Sequence, residues 1–185
     1  SLVLLVSLSF CCQWSFFAPR RPSSPSDGPE VRDRKGRSRL LARAASTFGN
    51  QEYWEEFYSG DSEDSKDFEW FCSYEDVQPF FHEFVQPVLD ASTTRPAKIL
   101  VAGCGNSRLT CDIYDDLCTT GINAGANSPD VEIWNVDYAE AAIARSKETA
   151  GERRSIRHVV ADLRDLPPET FQNESFDAVV DKGTM

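Results

Sequence analysis

Gly103-Cys104-Gly105 follows directly on the apolar run Ile99-Leu100-Val101-Ala102. Glycine permits positive φ and lets the backbone approach a ligand closely, and the helix that should follow offers free N–H groups at its start. Three acids close later candidate strands: Asp137 after residues 131–136, Asp162 after 156–161 and Asp181 after 176–180. An acid at the end of the second strand of such a unit accepts hydrogen bonds from ribose hydroxyls, in nicotinamide and adenosine ligands alike. Asp162 adds a second acceptor at the same rim. One acid at a strand end is an ordinary surface carboxylate; three at successive ends point to a site. The dinucleotide fingerprint G-x-G-x-x-G wants a third glycine where this chain has Arg108, which disfavours an NAD-dependent oxidoreductase.

The elements that must position these residues alternate in period. Residues 51–58 read as a short aromatic-acidic helix carrying Tyr53, Trp54, Phe57 and Tyr58, with Gly60 just past its end. Val77, Phe80, Phe81, Phe84, Val85, Val88 and Leu89 follow the spacing of one buried helix face. Ser73 with Asp76 can cap that helix, although Pro79 would suit a start at Gln78. From Ala97 the period changes: residues 99–102 are a continuous apolar run, as expected of a parallel strand buried on both faces, and further strands are expected at 131–136, 156–161 and 176–180. Helices at 107–118, with Leu109, Ile113 and Leu117 on one face, and at 139–150, stopped by Gly151, separate the strands. This alternation predicts an α/β, doubly wound parallel sheet, whose ligands sit at the carboxyl ends of the strands.

The chain has 185 residues, enough for one domain with appendages. Its formal charge of −11 is uneven. Residues 1–45 hold 8 Arg/Lys against 3 Asp/Glu, a balance of +5, which leaves 11 against 27, or −16, for the body. A body of that sign argues against nucleic acid and fits a basic protein surface better. The six cysteines (11, 12, 72, 104, 111 and 118) form no C-x-x-C pair, so structural zinc and a disulfide framework are not expected and the thiols should fill core. Residues 2–12 are too short an apolar run to span a bilayer but suit a signal peptide, and residues 18–46 turn Arg/Ser/Pro-rich as transit peptides do. The Phe16-Phe17-Ala18-Pro19 junction resembles the signal/transit boundary of nuclear-encoded plastid proteins. Residues 1–46 therefore read as a leader or a disordered tail outside the fold, with an organellar location following from a genuine leader and a cytoplasmic one otherwise. Residues 47–185 read as the domain.

With those elements in place, residues 99–107 (ILVAGCGNS), 135–138 (NVDY), 161–163 (ADL) and 176–184 (FDAVVDKGT) resemble class I S-adenosylmethionine-dependent methyltransferases. They look most like the eukaryotic group that includes lysine and N-terminal methyltransferases of translation elongation factor 1-alpha. Tyr53-Trp54, residues 68–71 (FEWF) and Tyr74 are similar to that group's N-terminal signature. The resemblance implies a Rossmann-like methyltransferase fold, S-adenosylmethionine as cofactor and a protein lysine or N-terminal amine as methyl acceptor. It also implies roles. Gly103 and Gly105 would line the methionine part of the cofactor, with Cys104, Asn106 and Ser107 completing the loop. Asp137 would hold the ribose hydroxyls and Tyr138 would lie against the adenine. Asp162 would accept from the adenine amino group, with the Leu163 N–H facing the ring. Asp181 would face the incoming nucleophile, and Tyr53, Trp54 and Trp70 would form a lid, the competing role for such aromatics being plain core filling.

Methyl transfer from a sulfonium is an in-line displacement in which positioning and desolvation carry most of the rate. The two histidines, His82 and His158, read as structural. Two departures from the resemblance stand out. Gly103 to Asp137 is 34 residues, about a dozen beyond the usual ~20, with the excess at 119–130. The family fold also continues beyond a fourth strand, so the chain reads as a domain truncated after residue 181. An inactive half-domain serving as a binding module is the alternative, and strand 176–180 is expected to leave one edge unpaired.

Overall fold

The computed structural model describes residues 4–7, 49–60, 69, 71–92, 96–120 and 130–184. The expected loop at 119–130 lies mostly outside them, as do Trp70 and the Phe16–Pro19 junction. Five parallel strands form one sheet among the described residues: β1 (Leu4–Ser7), β2 (Ala97–Ala102), β3 (Val131–Asp137), β4 (Ile156–Val160) and β5 (Ala178–Asp181), in the order β1-β5-β2-β3-β4. β2 is central, and apart from Lys98 it is apolar and buried because neighbours cover both faces. From β2 the chain moves outward through β3 and β4, then returns to the other side as β5, so the order reverses beside β2. The register brings the carboxyl ends together: Ala102 pairs with Val136 and with Asp181, and Asp137 pairs with Val160.

The helices are α1 (Gln51–Ser59), α2 (Tyr74–Phe80), α3 (Gln86–Ala91), α4 (Leu109–Thr120) and α5 (Glu140–Ala150). Between α2 and α3 the residues Phe81–Val85 form a π-helical turn, closed by the Gln86 N–H bonding back to the Phe81 carbonyl. Pro87 follows immediately; it has no N–H for the Glu83 carbonyl, and a widened turn accommodates its ring. α2 begins at Tyr74 and not at Gln78, because the Ser73 N–H and hydroxyl bond the Asp76 carboxylate at 2.9 and 3.0 Å and secure the first turn. The buried row is also narrower than the spacing predicts. Val77, Phe81, Val85 and Leu89 are buried, whereas Phe80 and Phe84 are 42% and 50% exposed.

On one sheet face that row meets Leu109, Ile113 and Leu117 of α4 and Ile99 and Val101 of β2. On the other, Leu100, Val136 and Phe171 pack with Trp134 and Phe176. Phe176 stands before β5, its ring 5.5 Å from that of Trp134, and Asp177 accepts the Lys98 N–H at 2.8 Å. The last strand therefore starts two residues later than expected. A buried carboxylate joins the helical layers: Asp116 of α4 accepts from the Tyr74 hydroxyl (2.8 Å) and Gln78 Nε2 (2.9 Å), with His82 Nε2 at 2.5 Å. Tyr74 is thus core, and His82 is structural.

The expected free edge is filled. Leu4–Ser7, assigned from sequence to a leader outside the fold, pairs in parallel with Ala178–Asp181. A strand edge with unmet N–H and C=O groups beside an apolar run accepts any extended apolar segment within reach, and residues 4–7 supply one.

Candidate functional site

A cavity of about 490 Å³ opens at the carboxyl ends of the strands, within the ~300–1,000 Å³ of small-molecule sites. Its floor is Gly103, just after β2; Asp137 ends β3 and Tyr138 follows it, residues 161–164 follow β4, and residues 182–184 follow β5. Trp54, Tyr58 and Phe71 supply aromatic walls from the N-terminal segment.

Asp137 is the electrostatic centre. One carboxylate oxygen accepts the Gly105 N–H and the other the Ala139 N–H, both at 3.0 Å, so a single side chain fixes the loops after β2 and β3. Burial pushes its pKa up, against the pull of those backbone N–H groups. A carboxylate has about four lone-pair sites, so these backbone N–H groups do not exhaust its capacity to accept from the cavity.

Of the loop after β2, Gly103 lies in the cavity wall and residues 104–107 do not. Cys104 is buried, its N–H bonds the Val136 carbonyl at 3.2 Å, and burial, reinforced by Asp137, raises its thiol pKa well above the usual value. Gly105 turns under Tyr58. Asn106 is buried. Ser107 caps α4 through its hydroxyl, which accepts the Leu109 N–H at 3.1 Å. Gly103 and Gly105 both have positive φ, +58° and +52°.

At the far rim the Arg164 guanidinium and N–H grip Asp162, with contacts of 2.6–3.1 Å that pull its carboxyl down to about 2. The acid expected to meet an amino group is charged and already shared with Arg164, itself in the cavity wall. Leu163 lines the same end. Asp181, by contrast, is 1% exposed and stands outside the cavity wall, its Oδ1 accepting the Thr184 N–H at 3.0 Å. It shapes the turn that carries Gly183 and Thr184, and these two residues occupy the wall where Asp181 was expected. The Thr184 hydroxyl in turn bonds the Ala102 carbonyl at 3.0 Å.

The N-terminal segment is pinned to this rim. Gln51 Nε2 donates to the Tyr138 carbonyl at 2.7 Å, Glu55 accepts the Ala141 N–H at 3.0 Å, and Arg145 bonds the carbonyls of Tyr58 and Gly60. Trp54 lines the cavity as the lid reading requires. Tyr53 does not: its ring packs on Trp54, 5.1 Å between centroids. Further along, Lys182 Nζ donates to Glu69, to the Ser107 hydroxyl (3.0 Å) and to the Cys72 carbonyl (3.3 Å), and Glu69 also accepts the Arg108 N–H at 2.7 Å. The Lys182 side chain is 6% exposed. Sequence reasoning missed Tyr58, Phe71, Lys182, Gly183, Thr184 and Arg164 as site residues. The signal for three of them was the DKGT run, quoted for resemblance but read only at Asp181.

Among the described residues no group of three or more His, Cys, Asp or Glu side chains is placed to hold a metal, and no helix is long and apolar enough to cross a membrane.

Residues 100–185 match a methyltransferase domain model. Together with the parallel sheet and the cavity at its strand ends, that match defines a methyltransferase domain of the class I, Rossmann-like kind. Its curated relatives include the mouse eEF1A lysine and N-terminal methyltransferase, 31% identical over 79% of this chain and 18% of that protein, and bovine EEF1A lysine methyltransferase 4, 32% identical over 72% of this chain and 43% of that protein. The chain therefore spans less than a fifth of the length of the first of these. Among solved structures, that of the plantazolicin methyltransferase BpumL in complex with SAH aligns with 77% of this chain and 49% of that one, at 12% identity and a TM-score of 0.36.

The cofactor of this class is S-adenosylmethionine, and the cavity fits it. Asp137 and Tyr138 line one stretch of its wall and Asp162 and Leu163 the next, and these residues would hold the nucleoside.

Proposed function

We propose that this domain transfers a methyl group from S-adenosylmethionine to an amine of a protein, a lysine ε-amine or an N-terminal α-amine, and that translation elongation factor 1-alpha is the acceptor protein. The observation that carries the reading is the layout of the cavity. Asp137 at the end of β3 and Asp162 after β4 are carboxylates on the wall that suit ribose and adenine donors, and the rim after β5 presents the small residues Gly183 and Thr184. The similarity to methyltransferases named for that factor supplies the acceptor. The −16 balance of residues 46–185 favours a basic protein surface.

The cofactor supplies an electrophilic methyl on a sulfonium. An amine that has lost its proton to solvent would take that methyl, gaining an N–C bond as the S–C bond is given up, which would leave a neutral thioether and a protonated secondary amine. The chain's part is to hold and to exclude water. Asp137 fixes the ribose end, Trp54 and Tyr58 close over the cavity, and Asp181 holds the 182–184 turn in place.

The test uses the full-length protein containing this domain, purified elongation factor 1-alpha and donor labelled in the methyl group. Label on a lysine or the N-terminal amine of the factor, located by mass spectrometry and lost in Asp137→Ala, is the expected outcome. An unlabelled factor beside normal binding of the demethylated cofactor would remove it as the acceptor.

A further inference from the structure

We infer that Phe71 is the residue against which the acceptor's side chain packs, and that its ring selects the long aliphatic stem of a lysine. This rests on the proposed methyl transfer to a protein amine.

Phe71 has φ +67°, left-handed backbone that a bulky side chain rarely adopts. Strain of this kind persists only where the surroundings impose it, and it clusters at functional positions. The surroundings here are explicit. Lys182 Nζ bonds the Glu69 carboxylate, two residues before Phe71, and the Cys72 carbonyl, the residue after it. One ammonium therefore ties the Glu69 side chain before Phe71 to the Cys72 backbone after it. The ring it holds is not core: Phe71 is 59% exposed and lines the cavity. It lies on the backbone of Gly183, where an added Cβ would come within 2.3 Å of the ring.

Topology decides which end of the cavity this is. Across the sheet the order is β5-β2-β3-β4, with Asp137 after β3, Asp162 after β4 and Gly183 after β5. The nucleoside acceptors occupy one side, so the ring over Gly183 stands at the other, where the methyl group must meet its acceptor. An apolar face there packs against methylenes, which the lysine stem has and an α-amine lacks. Taking the nitrogen out of water also penalises the ammonium relative to the free amine, the form that carries the attacking lone pair.

The test compares Phe71→Gly and Phe71→Leu in the full-length protein, with elongation factor 1-alpha as acceptor. Glycine adopts φ +67° without strain, so Phe71→Gly removes the ring and relieves the backbone together. The melting temperature should hold or rise, and affinity for S-adenosylhomocysteine should stay within about twofold, while KM for the factor rises at least about tenfold; Phe71→Leu should retain most of the wild-type value. An unchanged KM in Phe71→Gly overturns the inference. So does an equal loss of cofactor affinity, which would assign the ring to the cofactor, or label confined to the N-terminal amine. A wild-type protein that binds S-adenosylhomocysteine but methylates nothing on the factor sinks the functional reading first and this inference with it.

Discussion

The Tyr58 hydroxyl occupies the space that a side chain on Gly105 would need: a Cβ there would lie 2.5 Å from the hydroxyl oxygen and 3.2 Å from the ring carbon that bears it. Gly105 therefore serves the docking of α1, since the loop after β2 can approach the aromatic helix only without a side chain. Gly105→Ala should lose about 1–3 kcal/mol in chemical denaturation and weaken cofactor binding, because φ is +52° and Tyr58 lines the cavity. Adding Tyr58→Phe removes the nearest atom and should restore part of both losses. A double variant no better than the single would show that backbone strain alone is responsible.

Asp137 should control cofactor affinity and its pH dependence. Two ribose hydrogen bonds to a charged group are each worth about 1.5–3 kcal/mol, so Asp137→Ala should weaken S-adenosylhomocysteine binding severely. Burial raises the folded pKa, so the carboxylate gains a proton at a higher pH than an ordinary aspartate, near 3.9. Calorimetric affinity should begin to fall as pH drops while other carboxylates are still charged, and that fall should vanish in Asp137→Asn. A pH profile identical in wild type and Asp137→Asn would contradict the assignment.

The Glu69–Lys182 pair should respond asymmetrically to truncation. Glu69→Ala leaves the buried Lys182 ammonium with only the Ser107 hydroxyl and the Cys72 carbonyl, and breaking a buried pair from one side costs about 3–5 kcal/mol. Glu69→Ala with Lys182→Met removes both charges and should recover much of that loss. Urea unfolding of the four proteins in the cycle measures the coupling, and additive single effects would show that the pair contributes nothing jointly.

Asp116 should make the fold acid-sensitive. Its burial alone would raise the pKa, but hydrogen bonds from His82, Tyr74 and Gln78 outweigh that and lower it. A depressed carboxylate contributes stability that is present above its unfolded pKa and lost as pH falls through the folded one. Tyr74→Phe should cost about 1.5–3 kcal/mol at neutral pH and less in acid, where Asp116 is protonated in both proteins. Thermal melts at two pH values decide it; a pH-independent difference would mean that the hydroxyl matters only as packing.

Pairing of β1 with β5 has a direct consequence. Removing residues 1–10 uncovers the outer edge of Ala178–Asp181, and an unpaired parallel edge invites self-association. The shortened protein should run larger on size-exclusion chromatography and lose amide protection at residues 178–181. A monomer with those amides still protected would show that β1 is not what covers the edge. If residues 1–46 are cleaved as a leader, the mature protein meets the same condition.

Strand ends and the glycine turn were legible because each is a local event: an apolar run stops, and a glycine or an acid follows. That located Gly103, Asp137, Asp162 and Leu163 at the cavity. What was illegible depends on partners far apart in the chain. Lys182 reads as one more charged residue until Glu69, 113 positions earlier, arrives beside it. Gly105 and Ser107 read as ligand contacts because nothing local reveals that Tyr58 and Glu69 claim them. Phe80 and Phe84 satisfy helical spacing for a buried face, yet only the adjacent row meets α4. For β1, hydrophobicity suited an export signal and an edge strand equally, and no periodicity in so short a run separates the two.

Helix α1 is held by Gln51 on Tyr138 and by Tyr58 on Arg145, each pair 87 residues apart. A ribosome adding about 5–20 residues per second makes the aromatic helix roughly 4–17 seconds before its docking surface exists. During that interval Trp54, Phe57 and Tyr58 lack Tyr138, Ala139 and Ala142, with which they cluster in the fold, and such uncovered rings are what chaperones bind. The cavity cannot close until the ends of β3, β4 and β5 exist, long after its aromatic wall has been synthesised.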